Sequence, residues 1–308
     1  MKNRIIIDTD IAMGIPERDV DDGLAIIMAL NSKQIEVAAI TLTWGNDSLE
    51  NVSKSLKTLF DKGNFPNIET ARGASSQDDL GKDTKATELI IKTLEKESAT
   101  IVAIGPATNL ASAIKIRPAI TENIKEVIMV AARQPGQRFL TGNHSKGHPD
   151  LNFERDPEAV RILLDSDIPI TFAPFEVSSK VWINQTVLDK VNSHETTISG
   201  YIYEQCLPWL KFWQETFSTP LYSINGFNPF DTLAIAWLTD RKLLNWRACD
   251  PSIETDDYDT TDNAVQGSGS GKKLYLHARF KKNNSSRYRY IFDLAREEFL
   301  ESLISRLK

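Results

Sequence analysis

An α/β domain built on a mainly parallel central sheet is the fold class this sequence predicts, and three observations lead to it. Short runs rich in apolar and β-branched residues alternate with longer stretches of helical periodicity. The chain has 308 residues, a length that one large α/β sheet commonly fills, so a single domain over residues 1–308 is expected. Apolar residues at 41% and charged residues at 25% are ordinary globular proportions that allow a substantial core.

The elements follow in order. Arg4 to Asp8 reads as the first buried strand and Asp22 to Asn31 as the helix after it. Val37 to Thr43 is the second strand, leading to a helix over Ser48 to Lys62. A further helix, Lys85 to Lys96, precedes the third strand, Thr100 to Gly105. Thr108 is placed to cap a helix over Asn109 to Arg117, and Asp156 to cap another over Pro157 to Asp165. Between these two helices Glu126 to Ala131 forms the fourth strand; after the second, Ile168 to Ala173 forms the fifth. Such alternation implies βαβ units with the helices covering both faces of the sheet. Leu188 to Asp240 reads as helical and aromatic-rich. Beyond it lie a polar, acidic stretch from Glu254 to Asp262 and the sequence GSGSG at 267–271, expected as a hairpin tip or mobile loop. No internal repeat is present.

Several functions are excluded by composition. The net charge is 36 − 42 = −6 with no long basic run, so nothing attracts a nucleic-acid backbone. The N-terminal apolar run stops at Asp8, too short for a signal-peptide core, and no later stretch suits a membrane span; a cytoplasmic protein is expected. Cys206 and Cys249 are the only cysteines, which make neither a disulfide framework nor a paired metal motif.

In open parallel sheets ligands collect beyond the carboxyl ends of the strands, so the polar residues just after each apolar run have priority. Asp8, Asp10, Asp21 and Asp22 stand there within fifteen residues. Carboxylates crowded in this way repel one another, and a hard divalent cation with oxygen ligands relieves the repulsion; calcium tolerates the irregular geometry such groups supply. A plainer reading makes Asp21 or Asp22 a helix cap. A rival functional reading compares the apolar strand ending in Asp-x-Asp with haloacid-dehalogenase-like phosphatases, where Asp8 would be the nucleophile; in those the acidic metal pair lies far downstream, whereas here it comes almost at once.

The segment IIIDTDIAMGIPERDVDDGLAI resembles the opening of the inosine-uridine preferring nucleoside hydrolase family, usually Asp-x-Asp-Pro-Gly-x-Asp-Asp-Ala, with about six residues inserted. The resemblance continues in order. TLTWGN ends at Asn46, where the family has Gly-Asn; IGPATNLA resembles its Gly-Pro-x-Thr-Asn, with Thr108 in the threonine position; DLNFERDPEAV resembles Glu-Phe-Asn-x-x-x-Asp-Pro-Glu-Ala, with Asp150 and Asn152 in the first and third positions; NPFDTLAIAWL resembles His-Asp-Pro-x-Ala and contains Asp231. Taken singly, Asn46, Thr108, Asn152 and Asp231 could each cap a helix or close a turn. Their shared order over residues 4–240 is what carries the likeness.

The resemblance implies a Rossmann-like nucleoside hydrolase fold and calcium-dependent cleavage of the N-glycosidic bond of a ribonucleoside. It implies calcium on Asp10, Asp22, the Thr108 carbonyl and Asp231, with Asp10 as general base, and ribose hydroxyls held by Asp21, Asn46, Asp150 and Asn152, with Asn143 as a further candidate. It also implies a homo-oligomer, dimer or tetramer. The chain departs from the pattern in four places: Ile11 stands where proline is common, Phe230 stands where a histidine often precedes the last aspartate, Asp150 is one methylene shorter than glutamate, and Met13 to Val20 are inserted. His144 and His148 are candidate acids for the leaving base. The aromatics Trp209, Phe212, Trp213, Phe217, Tyr222 and Phe227 are candidates to cover that base, or equally a core stripe. Phe230 and the insertion also suit a catalytically weak nucleoside or ribose binder, or a hydrolase for another N-riboside.

Overall fold

Three successive isoleucines, Ile5, Ile6 and Ile7, are wholly excluded from water in β1 (Asn3–Thr9). Ile5 and Ile7 enter the apolar cluster on one face of the sheet, while Ile6 enters the cluster on the other. A strand buried on both faces suits a parallel sheet, and burying each such side chain contributes about 1.5–3 kcal/mol. The computed structural model of the chain describes residues 2–141, 148–219, 223–258 and 272–308.

Within the described residues β1 is joined by β2 (Ile35–Leu42), β3 (Glu69–Arg72), β4 (Ala99–Ala103), β5 (Ile124–Met129), β6 (Ile170–Phe172), β7 (Leu244–Asp256), β8 (Lys273–Phe280) and β9 (Tyr288–Leu294). The nine strands run in the order β3-β2-β1-β4-β5-β6-β9-β7-β8. Pairing is parallel from β3 to β9, and only the β9–β7 and β7–β8 contacts are antiparallel.

One face is covered by α1 (Asp21–Leu30), α2 (Leu49–Gly63), α8 (Gln185–Asn192), α9 (Thr197–Phe217), α10 (Thr232–Thr239) and α11 (Arg296–Arg306). The other is covered by α3 (Lys85–Lys96), α4 (Thr108–Ile116) and α6 (Pro157–Asp165). The short helices α5 (Leu151–Arg155) and α7 (Phe175–Ser178) follow β5 and β6 at the carboxyl end of the sheet. Among the described residues no helix is long and apolar enough to cross a membrane.

The expected strands and helices are present, with ends shifted by one or two residues. Asp156 caps α6 as expected, accepting from Ala159 N at 3.0 Å. Thr108 does not cap α4: it is the first helical residue, and its hydroxyl donates to Asp156 Oδ2 at 2.7 Å. Leu188 to Asp240 is not continuous helix, because α9 ends at Phe217 and α10 begins only at Thr232. The acidic stretch from Glu254 begins inside β7, and GSGSG lies outside the described residues.

Candidate active site

The first two motif aspartates have different fates at the carboxyl end of β1. Asp8 is fully buried and accepts from Thr41 Oγ1 at 2.7 Å and Asn109 Nδ2 at 2.9 Å, tying β1 to β2 and α4. Burial pushes its carboxyl up to about 6 in spite of those bonds. Asp8 thus anchors the sheet, and a phosphatase reading that needs it as nucleophile fails.

Asp10 is also fully buried and, like Asp8, whose Oδ2 has no hydrogen-bond partner among the described residues, it keeps one orphaned oxygen. Its Oδ2 accepts from Asn46 N at 2.6 Å, while Oδ1 has no hydrogen-bond partner among the described residues. Backbone closes around it. A Cβ at Gly45 would stand 1.9 Å from Asp10 Oδ2, and one at Gly105 would stand 2.9 Å from Asp10 N, so both positions require glycine.

Asn46 links this residue to the next: its Nδ2 donates to Asp22 Oδ2 at 3.1 Å, and Thr9 Oγ1 donates to Asp22 Oδ1. Neither Asp21 nor Asp22 is the N-cap of α1, which is Val20; both sit in the first turn, where the helix dipole favours negative charge. Asp231, the residue before α10, donates its N–H to Asp21 Oδ2 at 3.3 Å. Carboxylate oxygens of Asp21, Asp22 and Asp231 lie within 4.8 Å of one another.

Burial raises Asp10, Asp22 and Asp231 well above the ordinary carboxylate range, and their mutual repulsion adds to it. Asp21 is pushed up to about 6 by burial, against hydrogen bonds from Asp19, Asp231 and Asp22. Buried carboxylates, an orphaned oxygen on Asp10 and a donor set made only of oxygen fit a hard divalent cation such as calcium.

A stability test follows from these shifts. A carboxyl whose folded value is raised holds its proton longer in the native state, so metal-free stability falls as pH climbs from the ordinary value of 3.8 through the Asp21 value of about 6. A divalent cation held by these carboxylates, tested as calcium at about a hundred times its Kd, should restore about 2.7 kcal/mol, or roughly 5 °C in Tm. That gain should be largest above the window and fade toward about pH 4. Melting curves with calcium and with chelator across pH check it; no calcium-dependent shift at any pH would remove the metal from the site.

Beside this group lies a cavity with two unlike walls. Asp19, Asp21, Asn46, Asp150, Asn152 and Asp231 form the polar wall. Phe139, Phe175, Trp209, Trp213, Phe217 and Phe230 form the aromatic wall, with His148 among them. Phe175 stacks on Phe139 at 4.6 Å and on Phe230 at 5.0 Å, and the His148 ring centre is 5.2 Å from that of Phe217.

The structure brings most of the sequence-predicted residues together. Asp10 and Asp22 lie buried beneath the polar wall, which Asp21, Asn46, Asp150, Asn152 and Asp231 reach directly. Asp150 Oδ2 accepts from Ala132 N at 2.9 Å, and Asn152 Nδ2 donates to Val130 O at 3.0 Å. The Thr108 carbonyl accepts from Ser112 Oγ at 2.6 Å, and Thr108 is not among the residues lining the cavity. Asn143 and His144 lie outside the described residues, as does Tyr222. Phe212 stacks on Trp209, and Phe227 is a core residue.

Sequence reasoning missed Asp19, Phe139 and Phe175. Asp19 belongs to the inserted loop, and its position two residues before Asp21 was the available signal. Burial and the neighbouring Asp21 raise its carboxyl well above the ordinary range. Phe139 and Phe175 are single aromatics on connecting segments and carry no periodic signal.

Comparison with known proteins gives a consistent result. The family model described as inosine-uridine preferring nucleoside hydrolase matches residues 5–301. The pyrimidine-specific ribonucleoside hydrolase RihA of Salmonella arizonae is 26% identical over 94% of this chain and 95% of its own length. Among solved structures, the plant nucleoside hydrolase PpNRh1 superposes with a TM-score of 0.77 at 19% identity, covering 100% of this chain and 99% of the other. The purine-preferring ribonucleoside hydrolase of Gardnerella vaginalis also gives 0.77 at 19% identity, over 99% and 98%.

Proposed function

The chain belongs to the inosine-uridine preferring nucleoside hydrolase family, and from that premise we propose that it is a calcium-dependent ribonucleoside hydrolase whose sugar end is the Asp21–Asp231 wall. It is an N-glycosyl hydrolase by membership. The observation that carries the finer reading is the two-sided cavity, with carboxylates and amides along one wall and aromatic rings along the other. A ribonucleoside has the same division, a polyhydroxylated sugar joined to a flat base.

Breaking the ribosyl C–N bond builds positive charge on the sugar, and buried carboxylates stabilise that charge more strongly than water does. Asp21, Asn46, Asp150 and Asn152 hold ribose hydroxyls. Asp10, at the base of the polar wall, takes the proton from the attacking water. Asp10, Asp22 and Asp231 would hold calcium, and the resemblance adds the Thr108 carbonyl. When bound, the ion supplies a hard Lewis-acid centre that offsets the crowded carboxylate charge.

The aromatic wall stacks the base. His148 stands on that wall, where a departing base takes up its proton, and it therefore fills the role that Phe230 leaves open. Family resemblance also supports a cytoplasmic homo-oligomer, dimer or tetramer, acting in nucleoside salvage.

The test is release of free ribose from a panel of purine and pyrimidine ribonucleosides, with calcium and after chelation. Both classes belong in it, because one relative is named pyrimidine-specific and a structural neighbour purine-preferring. Ribose release that stops on chelation and returns with calcium is expected. Calorimetric binding of calcium and ribose without release from any nucleoside would instead identify a ribose-binding member of the family.

A further inference from the structure

The segment inserted between the two aspartate motifs ends on the cavity. Its last polar residue, Asp19, lines the polar wall together with Asp21 and Asp231. The carboxyls of Asp19 and Asp21 are in hydrogen-bond contact, so their oxygens stand side by side. Asp19 also lies at the foot of the aromatic wall. It adds to burial in raising the thiol of Cys206 on α9, and Trp209, one turn further along that helix, lines the same cavity.

The inserted loop is fastened at several points. Two successive turns, Ile15 N to Ala12 O at 2.9 Å and Arg18 N to Ile15 O at 3.2 Å, make it compact. Met13 is buried in the core, and its carbonyl accepts from Ser55 Oγ on α2 at 2.6 Å. Arg18 pairs with Asp47 at 2.9 Å, which ties the loop to the residue after Asn46. Glu17 has a φ of 59°, a left-handed conformation that persists in such a residue only where surrounding contacts impose it. Asp19 Oδ1 accepts from Val20 N at 2.8 Å, which sets the direction of the carboxylate just before α1. An acceptor held in this way loses little further freedom when a ligand binds.

We propose that Asp19 is a further sugar-binding residue, so that Asp19 and Asp21 each accept from one of the vicinal 2′- and 3′-hydroxyls of ribose. The proposal rests on the reading of the polar wall as the ribose site, and it gives the insertion a role there. Its basis is the match of acceptors to donors. Each ribose hydroxyl has one proton to donate, and an ionised carboxylate only accepts. Among the described residues the wall carries four carboxylates, those of Asp19, Asp21, Asp150 and Asp231. Asp231 serves the metal, and Asp150, next to α5, is held separately by Ala132 N at 2.9 Å. Two adjacent carboxylates are left, and two adjacent hydroxyls are the donors that suit them. Hydrogen bonds to a charged acceptor are the stronger kind, so each one adds to affinity and to discrimination between sugars.

The test titrates the parent chain, Asp19→Ala and Asp19→Asn, each saturated with calcium, with ribose, 2-deoxyribose and 3-deoxyribose in a calorimeter. Free sugars are not hydrolysed, so turnover and base recognition stay out of the measurement. Asp19→Ala should bind ribose about tenfold more weakly than the parent, and Asp19→Asn, which keeps one acceptor oxygen, about threefold more weakly. The deoxysugar that lacks the hydroxyl held by Asp19 should bind to the parent and to Asp19→Ala within about twofold of each other. The other deoxysugar should show the full loss. An equal loss on all three sugars would make Asp19 a structural residue, and no loss on ribose would place it outside the sugar subsite; either result overturns the proposal. If Asp19→Ala does not fold, Asp19→Asn decides by the same comparison. A parent that binds ribose but releases none from ribonucleosides would sink the hydrolase reading, and the comparison of sugars would still decide the role of Asp19. A parent that binds no ribose overturns the sugar wall and this proposal together.

Discussion

Asp10→Ala should lower kcat for ribose release by about 10³- to 10⁴-fold, the scale of losing a general base together with a metal carboxylate. Asp10 combines a carboxylate oxygen that has no partner among the described residues, an enclosure built from two glycines, and a position between the Asn46 backbone and the acidic group. Its removal should not unfold the chain. A buried carboxyl with a raised value opposes folding at neutral pH, so metal-free Asp10→Ala should melt at or above the metal-free parent, the difference growing as pH rises. Calcium added in excess separates its two roles: a residue that only held the ion would regain most activity, while a base would not. Steady-state rates at saturating calcium and nucleoside measure this, and a variant within about tenfold of the parent would remove Asp10 from the chemistry.

The parallel half of the fold was legible because its strands announce themselves. IIID, AAITL and TIVA are apolar runs bounded by polar turns, and each buries both faces. β3 was invisible for the opposite reason: Glu69–Arg72 is largely exposed and is a strand only because its backbone pairs with β2. β7, β8 and β9 interleave charge with apolar residues, which hides their period, and they pair antiparallel or at the sheet end instead of in βαβ units. The site divides along the same line. Asp10, Asn46, Asp150 and Asp231 follow strands or open helices, where topology gives a polar residue meaning. Phe139 and Phe175 join the cavity only through tertiary packing, and no local spacing connects them with the aspartate motifs.

A 2′-deoxyribonucleoside should be hydrolysed about 10⁴-fold less efficiently, in kcat/KM, than the ribonucleoside of the same base. The argument rests on groups left behind. Asp21 is 4% exposed, and its two carboxylate oxygens already accept from Asp22 N and Asp231 N, which fixes their direction without exhausting their lone pairs. Asn46 is held by Asp10 on its backbone side and Asp22 on its amide side. Such groups cannot turn to find other partners. When the sugar lacks a hydroxyl, each stays desolvated and unpaired at a cost of about 1–3 kcal/mol, and two or three of them account for about 5.5 kcal/mol, or 10⁴-fold. Comparing the two sugars on one base isolates this effect from base recognition, because the aromatic wall meets the same ring in both. Asp21→Ala should collapse the ratio by lowering the ribonucleoside rate while barely changing the deoxyribonucleoside rate. A parent ratio below about tenfold would mean that the polar wall does not grip the 2′-hydroxyl, and the sugar would have to be placed elsewhere in the cavity.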